Sequence, residues 1–143
     1  MIQVSIERLQ MVLDASFSRE TSGQPTMWRS DNSSYAHCGS ASLVIHHCLG
    51  GSIVGAFLPP EWRRKLGIRS HTWNKLPNGQ ILDATRSQFP PGFPYKDLVD
   101  GRLGEMIQAD DITEGLLANG PLAERFEILN ARVKRTLLSS GLG

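Results

Sequence analysis

Tyr35-Ala36-His37-Cys38-Gly39-Ser40-Ala41-Ser42-Leu43-Val44-Ile45 sets a cysteine at the mouth of a predicted helix. The polar run Ser30-Asp31-Asn32-Ser33-Ser34 precedes it, and Ala41, Val44, Ile45, Cys48 and Leu49 follow as one apolar stripe at helical spacing. At about 100° per residue Cys38 falls at the edge of that stripe, facing the rest of the domain. Backbone N–H groups and the positive end of the helix dipole favour a thiolate over a thiol at such a position. The thiolate is the nucleophilic form, which makes Cys38 a candidate for covalent catalysis. Gly50-Gly51 closes the helix.

Beyond it, residues 52–58 have strand composition, Pro59-Pro60 stops them, and residues 61–66 make one short helical turn. Residues 68–76 and 80–85 read as paired strands joined by Pro77-Asn78-Gly79. Proline suits the first central position of a type I turn, and Gly79 suits the left-handed residue that follows. A three-residue loop pairs Leu76 with Gln80 and sets Asp83 opposite Trp73. His71 then lies diagonally from Asp83 on the same face, within side-chain reach. A two-residue loop through Asn78-Gly79 would put the two on opposite faces, and Pro77 favours the longer loop.

Taken singly, these residues are ordinary. A free cysteine usually packs, a strand histidine usually makes a structural hydrogen bond, and an aspartate before Ala84-Thr85 suits a turn. In combination they supply a nucleophile (Cys38), a base (His71) and an orienter (Asp83), the arrangement a thiol enzyme needs. The Cys38 backbone N–H, with Asn32 or Trp28, is the expected binding site for a developing oxyanion, and Trp73 is a further candidate for substrate contact. The expected reaction is attack on an amide or acyl carbonyl, followed by hydrolysis or transfer, on a peptide, protein or small amide substrate. The alternative is a non-catalytic binding or modulator protein that keeps the same fold.

Other chemistries are weaker. His37, Cys38, His46, His47 and Cys48 cluster in sequence, but a continuous helix separates the two cysteines by about 15 Å, at roughly 1.5 Å per residue. That excludes a shared zinc tetrahedron and a disulfide between them. Arg63, Arg64, Lys65 and Arg69 are accompanied only by Trp62 and read as a solvated surface. No Gly-rich phosphate loop is present, so neither metal nor cofactor is expected.

Lys and Arg number 15 against 14 Asp and Glu, a formal net charge of +1, which gives no field for nucleic acid or an anionic membrane. The 143 residues suit one domain with a real core, spanning 1–143. Met1-Ile2-Gln3-Val4 opens no signal peptide and no stretch approaches transmembrane length, so a reducing cytoplasm is the expected compartment. An amphipathic first helix is expected over residues 5–17, with Ile2, Ile6, Leu9, Leu13 and Phe17 on one stripe. Residues 18–25 form a polar loop, and Pro90-Pro91-Gly92-Phe93-Pro94-Tyr95 is irregular. Asp111-Ile112-Thr113-Glu114 opens a helix. The last helix starts near Pro121 and buries Leu122, Phe126, Leu129, Val133 and Leu137, while Arg132, Lys134 and Arg135 complement its C-terminal end.

Several of these stretches carry a resemblance. Glu20-Thr21-Ser22, Trp28, Cys38 with its helix, Gly50-Gly51, His71-Thr72-Trp73-Asn74, Asp83-Ala84-Thr85-Arg86-Ser87-Gln88-Phe89 and the closing Glu124-to-Val133 helix resemble the small bacterial YunG-like family. More distantly, cysteine helix, histidine strand and aspartate strand look like the papain-like and transglutaminase-like core. The resemblance implies an α+β fold, with the nucleophile helix packed on a small antiparallel sheet, and a Cys38-His71-Asp83 triad, without naming a substrate. Family members usually carry Gly-Gln directly before the cysteine, where this chain has Ala36-His37.

Overall fold

The computed structural model describes residues 4–139, so Ile2 of the first apolar stripe lies outside the described residues. Ser5 caps the first helix, α1 (Ile6–Ser16), its hydroxyl accepting the Arg8 N–H at 3.1 Å. Leu9, Val12 and Leu13, with Phe17 just beyond, are buried against the second helix, α2 (Cys38–Leu49), and the last, α6 (Gly120–Ser139). Between them the chain runs through β1 (Ser52–Phe57), α3 (Pro60–Leu66), β2 (Ser70–Lys75), β3 (Ile81–Leu82), α4 (Tyr95–Val99), β4 (Glu105–Met106) and α5 (Thr113–Leu117). Among the described residues the architecture is mixed α+β: six α-helices and one antiparallel sheet in the order β3-β2-β1-β4.

Three-residue closure of the β2–β3 hairpin is what the structure contains. Asn74 pairs with Leu82 and Lys75 with Ile81. The Leu76 N–H donates to the Gln80 carbonyl at 2.8 Å, and Gly79 takes φ +88°, a conformation that favours glycine. The paired strands are shorter than their composition predicts. β3 ends at Leu82 because the Asp83 carboxylate accepts the Thr85 N–H at 3.1 Å, turning the chain into a short 3₁₀ turn, Arg86–Gln88.

The expected single stripe of α2 understates its burial. Ala41, Val44 and Ile45 join the α1–α6 core, with Cys48 and Leu49 partly buried at its margin. Leu43 packs separately with Ile53 of β1 and Leu122 of α6. The helix also bonds to β2: the Ser42 and Thr72 hydroxyls lie 3.1 Å apart, and Asn74 Nδ2 donates to the Ser42 carbonyl at 3.0 Å. A helix enclosed by both a sheet and two helices has no solvent face along its middle, from Ser40 to Ile45, which a one-stripe reading cannot show.

Asp111 fulfils the expected helix-start role, accepting the Thr113 N–H at 3.0 Å, and it also accepts the Ile53 N–H of β1 at 3.1 Å. The basic group of α6 does not sit in its last turn. Arg132 instead reaches sideways, pairing with Glu20 and donating to Ser18 Oγ at 2.7 Å, which ties α6 to the loop after α1. Tyr35, Ile68, Trp73, Phe93 and Leu98 build a second core on another face of the sheet. The proline-rich stretch before Tyr95 covers that core. Among the described residues no helix is long and apolar enough to cross a membrane.

Candidate active site

Alternation along β2 decides what each side chain of His71-Thr72-Trp73-Asn74 meets. Thr72 and Asn74 bond to α2, as above, while His71 and Trp73 turn towards the aromatic core. His71 is fully buried, and its Nε2–H donates to Asp83 Oδ2 at 2.5 Å. Asp83 is fixed in turn. Its Oδ1 accepts the Thr85 N–H, and its Oδ2 accepts the Tyr95 hydroxyl. Phe89 meets the imidazole edge-on at 4.7 Å between centroids, and the Trp73 ring lies 5.8 Å away at 28°. An imidazole packed on these sides and bonded through Nε2 is held in one orientation, with its second nitrogen, Nδ1, 3.5 Å from Gln88 Nε2.

Cys38 is the first residue of α2, partly exposed, with its Sγ 4.0 Å from the Ser70 carbonyl. Burial pushes its thiol pKa up, but the hydrogen bond and charge of His71, with smaller help from Thr72, outweigh this and bring it below the ordinary value. Burial pulls His71 down, and the Asp83 and Cys38 hydrogen bonds and charges overcome it, raising the imidazole to about 9. Both shifts favour one state, a thiolate beside an imidazolium. Cys48 moves the other way: burial raises its pKa.

The segment that delivers Cys38 is clamped. Ala36 takes φ +58°, a left-handed conformation rare for a residue with a Cβ. The Gly23 N–H donates to the Ala36 carbonyl at 2.8 Å, Ser22 Oγ donates to the Tyr35 carbonyl at 3.0 Å, and the Ala36 N–H donates to Gln88 Oε1 at 3.1 Å. His37, fully buried, donates from Nδ1 to the Tyr35 carbonyl at 2.9 Å and accepts the Thr21 hydroxyl on Nε2 at 2.7 Å. Burial is the main cause holding its pKa down at about 4, so it stays neutral and structural. Thr21 and Ser22 are therefore a brace for the turn before the cysteine, while Glu20 pairs with Arg132.

Three of the expected site residues lie elsewhere. Trp28 spends its indole N–H on the Ser33 carbonyl at 2.9 Å, and the Asn32 amide is directed to the Gln88 carbonyl at 3.5 Å. Trp73 is 2% exposed and packs beneath His71, out of reach of a substrate. The open side of Cys38 is a cleft of about 260 Å³ that Gln24, Arg69, Asn119 and Arg125 also line. Gly39 lets α6 form its wall, since a Cβ there would stand 2.9 Å from Leu122 Cδ1. The Gln24 side chain makes no hydrogen bond among the described residues.

Sequence reasoning missed Gln24, Gln88 and Tyr95. Gln88 sits inside the Asp83-to-Phe89 motif and spans the site, its Nε2 3.0 Å from Thr85 Oγ1 and 3.5 Å from His71 Nδ1. Tyr95 carries no periodic signal, because it follows an irregular proline-rich stretch. Among the described residues no group of three or more His, Cys, Asp or Glu side chains could hold a metal ion.

Fold and site together define an α+β protein whose cysteine, histidine and aspartate side chains meet at the start of one helix and the edge of one hairpin. The chain belongs to the YunG family: the family model, described as YunG protein, matches residues 5–137. No curated protein and no solved structure matches the chain.

Proposed function

We propose that the protein is a cysteine-dependent enzyme acting on an amide or acyl bond, built on a papain-like or transglutaminase-like arrangement. The observation that carries this reading is His71 itself, bonded to Asp83 through Nε2 and coupled to the Cys38 thiol on its other side. The Cys38 thiolate attacks the carbonyl carbon and an acyl-sulfur bond forms. The His71 imidazolium gives its proton to the leaving group as the scissile bond breaks, and neutral His71 then takes a proton from the water or amine that releases the acyl group. Asp83, held by Thr85 and Tyr95, keeps the ring in the tautomer this needs. The Cys38 N–H, which has no intrahelical acceptor, and the Gln24 amide across the cleft are the donors for the oxyanion.

Acylation by p-nitrophenyl acetate tests the reading. The thiolate displaces nitrophenolate, and water then frees acetate. A burst of nitrophenolate stoichiometric with protein, followed by turnover that an added amine accelerates, is expected, with both lost in Cys38→Ser. An acyl group on Cys38 that persists for hours would sink the catalytic reading and favour a binding protein of the same fold. Gln24→Ala is expected to slow acylation roughly ten- to hundredfold, within the range seen for a lost oxyanion donor or a little below it.

A further inference from the structure

The cleft beside Cys38 carries charge of one sign. Arg69, just before β2, and Arg125, from the early turns of α6, both line it, and no carboxylate does. Neither forms an ion pair among the described residues, whereas Arg29 pairs with Asp31 and Arg132 with Glu20. The Arg125 guanidinium is turned towards the cleft floor, since a Cβ on Gly23, another lining residue, would stand 3.7 Å from its Nη2. The chain as a whole has a formal charge of only +1, so this is a local feature rather than a general basic surface. An arginine without an acidic partner keeps its planar fork of N–H donors for a ligand, and that fork matches a carboxylate in two parallel hydrogen bonds. The cleft volume of about 260 Å³ holds a side-chain-sized group.

We propose that the substrate attacked by Cys38 carries a carboxylate near its scissile carbonyl, and that Arg125 and Arg69 hold that carboxylate. The proposal rests on the reading of Cys38 as the nucleophile and names the class of substrate it acts on. Gln24 and Asn119 line the same space and offer amide groups to the rest of such a substrate.

Two alkylating agents of nearly the same size separate the two questions: iodoacetamide is neutral and iodoacetate is an anion. In both reactions the thiolate forms a sulfur–carbon bond, the carbon–iodine bond breaks and iodide leaves. The ratio of the iodoacetate to the iodoacetamide rate at Cys38, measured near neutral pH and divided by the same ratio for glutathione, reports the anion preference of the cleft. It is expected to exceed one by roughly tenfold. It should fall roughly three- to tenfold in Arg125→Gln and again when Arg69→Gln is added, because the ratio cancels any change in thiolate fraction that both reagents share. Arg125→Lys, which keeps the charge, should retain most of the preference. His71 is also cationic in this state, so the loss on removing the arginines is the deciding observation. A ratio equal to that of glutathione, or one unmoved in the double variant, would overturn the proposal while leaving the nucleophile intact. Slow iodoacetamide labelling of Cys38 would instead remove the nucleophile, and the proposal with it.

Discussion

His71 Nε2 lies 2.5 Å from Asp83 Oδ2, and the length of one turn puts it there. The loop Pro77-Asn78-Gly79 pairs Asn74 with Leu82, which leaves Asp83 just past the ladder and on the His71 side. One residue fewer would turn the carboxylate to the other face. The bond does two things at once. It holds the proton on Nε2, which leaves Nδ1 as the nitrogen available to the rest of the site, and it stabilises the cationic ring.

Asp83→Asn should therefore spare the fold and injure the chemistry. The amide oxygen can still accept from Thr85, but the NH₂ replaces the oxygen to which both His71 and Tyr95 donate, competes for Nε2 and leaves the proton on Nδ1. Cys38 alkylation by iodoacetamide near neutral pH is expected to slow roughly tenfold or more, with the melting temperature little changed. Asp97→Asn, at an exposed position of α4, should leave both unchanged. Equal rates for Asp83→Asn and the unaltered protein would contradict the role given to the carboxylate.

Gly79 is a test of the loop alone. Its φ is +88° and a Cβ there would meet nothing within 4 Å, so Gly79→Ala adds backbone strain without a clash. Chemical denaturation should show a loss of about 1 kcal/mol. Gly115→Ala, also in open space but within α5 and without a positive φ, should instead gain about 0.5–1 kcal/mol. Losses of equal size at both glycines would show that the left-handed turn is not what Gly79 supplies.

Ala36 makes the opposite prediction. At φ +58° its methyl group is strained, so Ala36→Gly should be neutral or stabilising by up to about 1 kcal/mol. Ala36→Val, branched at Cβ, should destabilise by more than that. A loss of stability in Ala36→Gly would mean that the methyl packs better than its backbone suggests.

The parts of the site that sequence disclosed are those set by short-range geometry. Cys38 at a helix start follows from the apolar spacing behind it, and the His71–Asp83 pairing follows from loop length and strand alternation. Contacts between distant segments left no such mark. Gln24 reaches the cleft because Thr21 and Ser22 brace the loop against residues 35–37, and Arg125 arrives on a helix a hundred residues later. Trp28 and Asn32 looked suitable because they precede Cys38, yet hydrogen bonds to Ser33 and Gln88 direct them away. β3 is shorter than its composition predicts because the Asp83 turn competes with the ladder.

The two cysteines, whose pKa values shift in opposite directions, should have pH profiles of different steepness. For Cys38 the hydrogen bond and charge of His71 favour the thiolate below the ordinary thiol pKa, and Asp83 and Cys38 raise His71 to about 9. Its iodoacetamide rate should climb less steeply from pH 7 to pH 9 than that of an ordinary thiol. Burial raises the Cys48 pKa, so its thiolate fraction, and its rate, should climb about tenfold per pH unit over the same range. Peptide mapping after timed labelling separates the two sites. Parallel slopes, or faster labelling of Cys48 at neutral pH, would count against activation of Cys38.

Direct titration of the Cys38 thiolate tests the central claim with the least interpretation. The ultraviolet thiolate absorbance, taken as the difference between the unaltered protein and Cys38→Ser, gives the ionisation of that one group. With the His71–Asp83 pair intact, the band should develop below the ordinary thiol pKa, and in His71→Ala it should develop only around or above that value. A Cys38 thiolate that appears only at or above pH 9 in the unaltered protein, or at the same pH with and without His71, would contradict the account.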